Sequence, residues 1–80
     1  MENGSKKQRA KLVEEIWLLA VKSGFDHTAI AVEARISYPR YRRIFFENAE
    51  PKPGELDKIR GAILRMVERE QKRLSELRVS

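Results

Sequence analysis

The chain has no cysteine and a single histidine among 80 residues, and those two shortages remove whole classes of chemistry. Without thiols there is no disulfide framework, no zinc finger and no thiol nucleophile. One histidine cannot build a His-rich metal site, although carboxylates alone can still bind a hard cation; the sequence leads us to expect no metal and no cofactor. Long apolar runs are also missing. The longest, Ile16 to Val21, has six residues, against the roughly 20 that a bilayer requires. Residues Met1 to Ser5 contain no apolar core of a secretory signal. A domain this small buries only roughly 60 % of its unfolded surface, which leaves little core to surround a deep pocket, so no small-molecule substrate is expected. No Gly-rich phosphate loop and no motif-spaced carboxylates occur, and the adjacent Glu14 and Glu15 point about 100° apart on a helix. An enzyme is therefore not expected. The expectation is one small, soluble, intracellular domain with no membrane contact.

What the chain does have is positive charge. Lys and Arg number 17 against 12 Asp and Glu, giving a net charge of +5 and a pI near 9.9. Such a balance points towards an acidic partner, most commonly nucleic acid. Its distribution is uneven: the segment from Arg35 to Arg43 carries four Arg and no acid. The acids gather instead at Glu14 and Glu15, between Glu47 and Asp57, and in the C-terminal part.

Strand signals are nearly absent, since no segment alternates apolar and polar residues over five positions between turn residues. Helical signals recur. Ser5 and Gln8 have the form of a capping box, and Leu12, Val13, Ile16, Trp17, Leu19 and Ala20 repeat at helical period. A first helix is expected over 6–22, after a flexible 1–5, and Gly24 suits the left-handed position just past it. Trp17 belongs to the core, with helix 1 wrapped over helices 2 and 4. Asp26 is the N-cap of a short second helix over 27–34, with Phe25 placed to staple onto Ile30. A third helix starts near Tyr38 or Pro39 behind the cap Ser37, and runs through Tyr41, Ile44 and Phe45 to about 47 or 48. The segment 50–54 is the one real loop. Glu55 and Asp57 then favour a helix N-terminus, and Leu56, Ile59, Ala62, Ile63, Met66 and Val67 form the stripe of a fourth helix. Beyond Val67 the stripe thins, but nothing breaks the helix there, and a helical extension over 68–80 is expected to continue solvated to about residue 77. The fold class is all-α, a small domain of four helices or five.

Helices 2 and 3, short and joined by a tight turn with the second one basic, describe a helix-turn-helix. The run Gly24-Phe25-Asp26-His27-Thr28-Ala29-Ile30-Ala31-Val32-Glu33-Ala34-Arg35-Ile36-Ser37 resembles the lambda repressor and Cro-like (Xre-type) helix-turn-helix family. Ile30 and Ala31 match its apolar and small positions, Ile36 its turn residue, Ser37 its polar cap and Ile44 its later anchor. Pro53-Gly54-Glu55-Leu56 looks like the family's start of the next helix. The resemblance covers roughly residues 10–67 and implies a DNA-binding domain over 6–67. Three positions depart from the pattern. Arg35 stands where the family has Gly, which places a non-glycine in a left-handed conformation at a cost of roughly 1–2 kcal/mol. His27 replaces Gln at the start of helix 2, and Tyr41 replaces Val or Ile.

A helical wheel turns Tyr41, Ile44 and Phe45 inward and Pro39 and Arg43 outward, with Arg40 and Arg42 flanking them. Arg reads guanine O6 and N7 in a bidentate way. Arg40 and Arg43 are thus candidates for base reading, with Tyr38 placed to touch a thymine methyl or a phosphate. Arg42, and the donors His27, Thr28 and Ser37 at helix N-termini, are candidate phosphate contacts, as is Lys52. For each of these a solvated surface residue is the competing reading. Lys6, Lys7, Arg9 and Lys11 form either a DNA-wrapping arm or a soluble first turn. Phe46 fits neither face; it packs under the 49–54 loop or against a second subunit.

Ile63, Glu70 and Leu77 fall at seven-residue spacing, as do Val67 and Leu74, but Glu70 and Arg73 spoil a long coiled coil. A short homodimer contact through Val67, Leu74 and Leu77 would suit a pseudo-palindromic site with half-site centres about 34 Å apart. The leading expectation is a sequence-specific regulator of transcription that binds double-stranded DNA, most economically a repressor, cytoplasmic in a prokaryotic or phage-infected cell. Contact with RNA polymerase through Glu47, Glu50, Glu55 and Asp57 remains open as an activator's mechanism. The alternatives are a protein-binding adaptor on the same scaffold and a non-specific nucleic-acid-binding protein.

Overall fold

A computed structural model describes residues 2–79, with side chains described from 10 to 78. Four helices follow one another: α1 (Glu2–Ser23), α2 (His27–Ala34), α3 (Tyr38–Phe46) and α4 (Glu55–Val79). No strand occurs among the described residues. The result is a small all-α domain.

The punctuation works by identifiable chemistry. Gly24 takes φ +75°, the left-handed conformation that ends α1. Asp26 then caps α2, its carboxylate accepting the Thr28 N–H at 3.2 Å. Ser37 caps α3 in the same way, accepting the Arg40 N–H at 3.2 Å, and Pro39 lies in the first turn where its missing N–H does no harm. The Lys52-Pro53-Gly54-Glu55 turn closes through the Glu55 N–H to the Lys52 carbonyl at 3.0 Å. Gly54, at φ +84°, supplies the positive φ that the turn requires after a proline.

The core is drawn from all four helices. Ile16 and Ala20 of α1, Ile30, Ala31 and Ala34 of α2, Tyr41 and Ile44 of α3, and Ile59, Ala62 and Ile63 of α4 are buried together. Ala31 and Ala34 of α2 and Ala62 of α4 are all buried, and these two helices pack against each other. Phe25 and Ile36, on either side of α2, pack against this core.

One boundary differs from the sequence reading. α1 begins at Glu2, not at residue 6, so residues expected to lead in flexibly are helical and Ser5 and Gln8 fall inside the helix, their side chains outside the described residues. α4 runs without a break to Val79, the solvated continuation expected beyond Val67, and the described residues contain no fifth helix. α1 packs chiefly on α4 and α3, not on α2 and α4. Residues 68–78 are exposed throughout, and their projection contributes to the long dimension of a body measuring 55 × 24 × 18 Å.

Candidate nucleic-acid interface

The turn between α2 and α3 is three residues long, Arg35 to Ser37. Arg35 sits at φ 60°, ψ 39°, fully left-handed. Its N–H donates to the Val32 carbonyl at 3.0 Å and the next N–H, of Ile36, to the Ala31 carbonyl at 3.1 Å. This pair of bonds is the Schellman arrangement, and it turns the chain from α2 into α3 by backbone alone.

Helix α3 places Tyr41 and Ile44 inward, both essentially without exposure. Tyr38, Pro39, Arg42, Arg43 and Phe46 are exposed. The Arg42 guanidinium lies 6.0 Å from the centre of the Tyr38 ring, the outer limit of a cation–π contact. Arg43 makes no side-chain hydrogen bond, ion pair or ring contact with the described residues.

Arg40, expected to read a base, is instead engaged within the molecule. Its Nε and Nη2 donate to Glu55 Oε2 and Oε1 at 2.9 and 2.7 Å, and Nη2 also donates to the Glu50 carbonyl at 2.9 Å. The fork is thus committed to the start of α4, in the bidentate geometry that makes Arg–carboxylate pairs strong. Glu55 is the buried charged residue among those described, at 8 % exposure, and it also accepts the Lys52 N–H at 2.6 Å. The Arg40 hydrogen bonds, helped by the Lys52 N–H, pull its carboxyl down to about 2; the same pairing raises Arg40. Glu55 is therefore no part of an exposed acidic patch.

At the start of α2, His27 is also held from within. Its Nδ1 is hydrogen-bonded to the Tyr41 hydroxyl at 2.8 Å, and its ring stacks on Trp17 at 4.9 Å with 12° between the planes. Burial, then the neighbouring Tyr38, pushes the Tyr41 phenol up to about 12, so it is un-ionised at any physiological pH. Trp17 touches Phe45 at 5.5 Å and meets Phe46 edge-on at 5.0 Å. Phe46 therefore packs on α1, not under the loop, while staying 54 % exposed. Trp17 itself is partly, not fully, buried. Thr28, Ser37 and Lys52 have exposed side chains, but the Ser37 hydroxyl already accepts the Arg40 N–H.

Tyr38, Arg42 and Arg43 are thus all exposed on α3, with Arg42 near Tyr38. His27 joins α3 through Tyr41, and Lys52 lies beside the Glu55 clamp. Sequence reasoning missed three contacts: the Arg40–Glu55 clamp, the His27–Tyr41 bond, and Glu33, whose carboxylate receives Arg65 Nε at 3.2 Å and also pairs with Arg69. Those two guanidiniums lower the Glu33 carboxyl. The first contact had a signal, since the wheel puts Arg40 on the flank of α3 and the Pro53-Gly54 turn puts an acid at the first position of α4.

Two open clefts flank the 49–54 loop. One, of about 430 Å³, lies against Val13 and Ile44; the other, of about 520 Å³, lies against Leu12 and Leu56. Neither contains a nucleophile beside a base. Among the described residues no cluster of three metal-ligating side chains occurs, and no helix is long and apolar enough to cross a membrane. No family model, curated protein or solved structure matches the chain.

Proposed function

We propose that this chain is a sequence-specific, double-stranded-DNA-binding regulator of transcription, acting most simply as a repressor that occupies its operator. The observation that carries the reading is α3 itself: Tyr38, Arg42 and Arg43 are exposed on a short helix set off from α2 by a three-residue turn. A helix of this size fits the major groove, and the helix before it braces it on the backbone. In this reading α2 and α3 are a helix-turn-helix of the lambda repressor-like kind. Arg43 and Tyr38 read bases, and Arg42 lies near the phosphates. His27 and Thr28 face a phosphate from the start of α2, and Lys52 approaches one from the loop. Arg40 positions α3 against α4.

Two copies meeting through the α4 extension at Leu74 and Leu77 would present two such helices to a pseudo-palindrome. The test is selection of a random duplex library by the purified protein at near-physiological salt, with sequencing of the bound pool. An enriched inverted repeat is the expected result. A retained but unenriched pool means a non-specific binder. No retention favours the adaptor, for which the 54 % exposure of Phe46 offers an apolar contact.

A further inference from the structure

His27 is the single histidine of the chain, and the surroundings of its two ring nitrogens differ. Nδ1 lies 2.8 Å from the Tyr41 hydroxyl. Either group can donate across that distance; the phenol decides which one does. Tyr41 has no exposure, so water does not reach its hydroxyl, and no other group among the described residues bonds to it. Burial, then Tyr38, pushes the phenol up to about 12, so it keeps its hydrogen. Were Nδ1 the donor, that hydrogen would be stranded in the core without an acceptor. The phenol therefore donates and Nδ1 accepts, which in the neutral ring leaves the hydrogen on Nε2.

Nε2 is the open nitrogen. It makes no hydrogen bond among the described residues, and none of their buried side-chain nitrogens or oxygens lacks a partner, so Nε2 reaches solvent. Stacking on Trp17, at 4.9 Å with 12° between the planes, holds the plane of the ring. A flip within that plane would set a C–H against the phenol hydrogen.

We propose that Tyr41 is a positioning residue: by donating to Nδ1 it fixes His27 as the Nε2–H tautomer, so the ring presents a hydrogen-bond donor outward and the partner atom it meets is an acceptor. The proposal rests on the DNA-binding reading for the identity of that acceptor, a backbone phosphate oxygen. It adds to that reading a residue with no surface of its own. The other tautomer would turn a bare nitrogen lone pair towards the phosphate and repel it.

The experiment uses the full chain at about pH 8, above the ordinary range of a histidine, as wild type, Tyr41→Phe, His27→Gln and His27→Phe. Long-range proton–nitrogen NMR spectra of isotope-labelled protein read the one histidine without overlap. The wild-type ring is expected in a single form with its hydrogen on Nε2, and the Tyr41→Phe ring in a mixture of both tautomers. Anisotropy titrations with a labelled mixed-sequence duplex of about 20 bp, between about 50 and 200 mM NaCl, read the contact itself. His27→Phe is expected to weaken binding roughly 3- to 10-fold, with an unchanged salt slope because no charge is lost. His27→Gln, whose amide N–H replaces the donor, should restore most of that affinity, and Tyr41→Phe should weaken binding by a smaller factor. A wild-type ring with its hydrogen on Nδ1, or in the same mixture as Tyr41→Phe, overturns the assignment of Tyr41. Equal binding by wild type and His27→Phe overturns the phosphate contact. If wild type binds no duplex at all, the DNA-binding reading fails and the acceptor's identity with it, whereas the ring spectra test Tyr41 without DNA.

Discussion

Arg40 and Glu55 show how one ion pair can decide which arginine is available to a partner. Both carboxylate oxygens and the guanidinium fork are engaged, at 2.7 and 2.9 Å, with Glu55 nearly sealed from water. Glu55→Ala removes both bonds of the fork and the acceptor of the Lys52 N–H, and is expected to lower the midpoint of a urea melt. Arg40→Met with Glu55→Leu should lose much less than the sum of the single changes, a coupling that a double-mutant cycle reads directly. The pair also fixes a pH dependence. The Glu55 carboxyl lies near 2 in the fold against 4.5 when free. Its stabilisation is therefore complete above about pH 4.5 and is lost as pH falls through that range towards 2. Acid titration of the Arg40→Met, Glu55→Leu double variant should show a shallower loss over the same interval. Tyr41 carries a smaller effect: Tyr41→Phe removes the 2.8 Å bond to His27 and is expected to cost about 1 kcal/mol, checked by the same melt.

At the scale of elements, α3 is a helix with two uses. Its inner side, through Tyr41 and Ile44, belongs to the core, and its flank through Arg40 is pinned to α4. What remains for a partner is the side bearing Tyr38, Arg42 and Arg43. In the proposed DNA-binding reading, Arg43→Ala should cost about 1–3 kcal/mol of specific binding and relax preference at one base pair. Arg42→Ala should weaken binding evenly across sequences and flatten its salt dependence. Competition titrations with single-base operator variants separate the two outcomes. The limits of α2 and α3 were legible in the sequence because Asp26, Ser37 and Pro39 are local signals that act within a few residues. The start of α1 was not, since no strong cap marks it and Ser5 offered a false one.

Over the whole molecule, α4 has two halves of different character. To about Val67 it seals the core; from Glu68 to Arg78 every residue is exposed, with Leu74 at 53 %. The proposed homodimer would meet there. If it does, Leu74→Glu is expected to shift sedimentation from dimer to monomer and, in the proposed DNA-binding reading, to weaken binding to an inverted repeat more than to a single half-site. Because the side chain touches little in the monomer, the monomer's fold should stay intact, checked by far-ultraviolet circular dichroism.

Sequence alone determined the helices, their order and their inward faces, because caps, turns and helical period are short-range physics. The resemblance also implied a left-handed residue at Arg35, which takes φ 60°. Sequence could not decide which of four arginines are spent inside the molecule. Arg40 and Glu55 are 15 positions apart, His27 and Tyr41 14, and Glu33 and Arg69 36. Pairs so distant in sequence leave no periodic trace; they meet only once the helices have packed. Packing commits Arg40 and leaves Arg35, Arg42 and Arg43 on the surface, so tertiary structure sets which cations are presented to a partner.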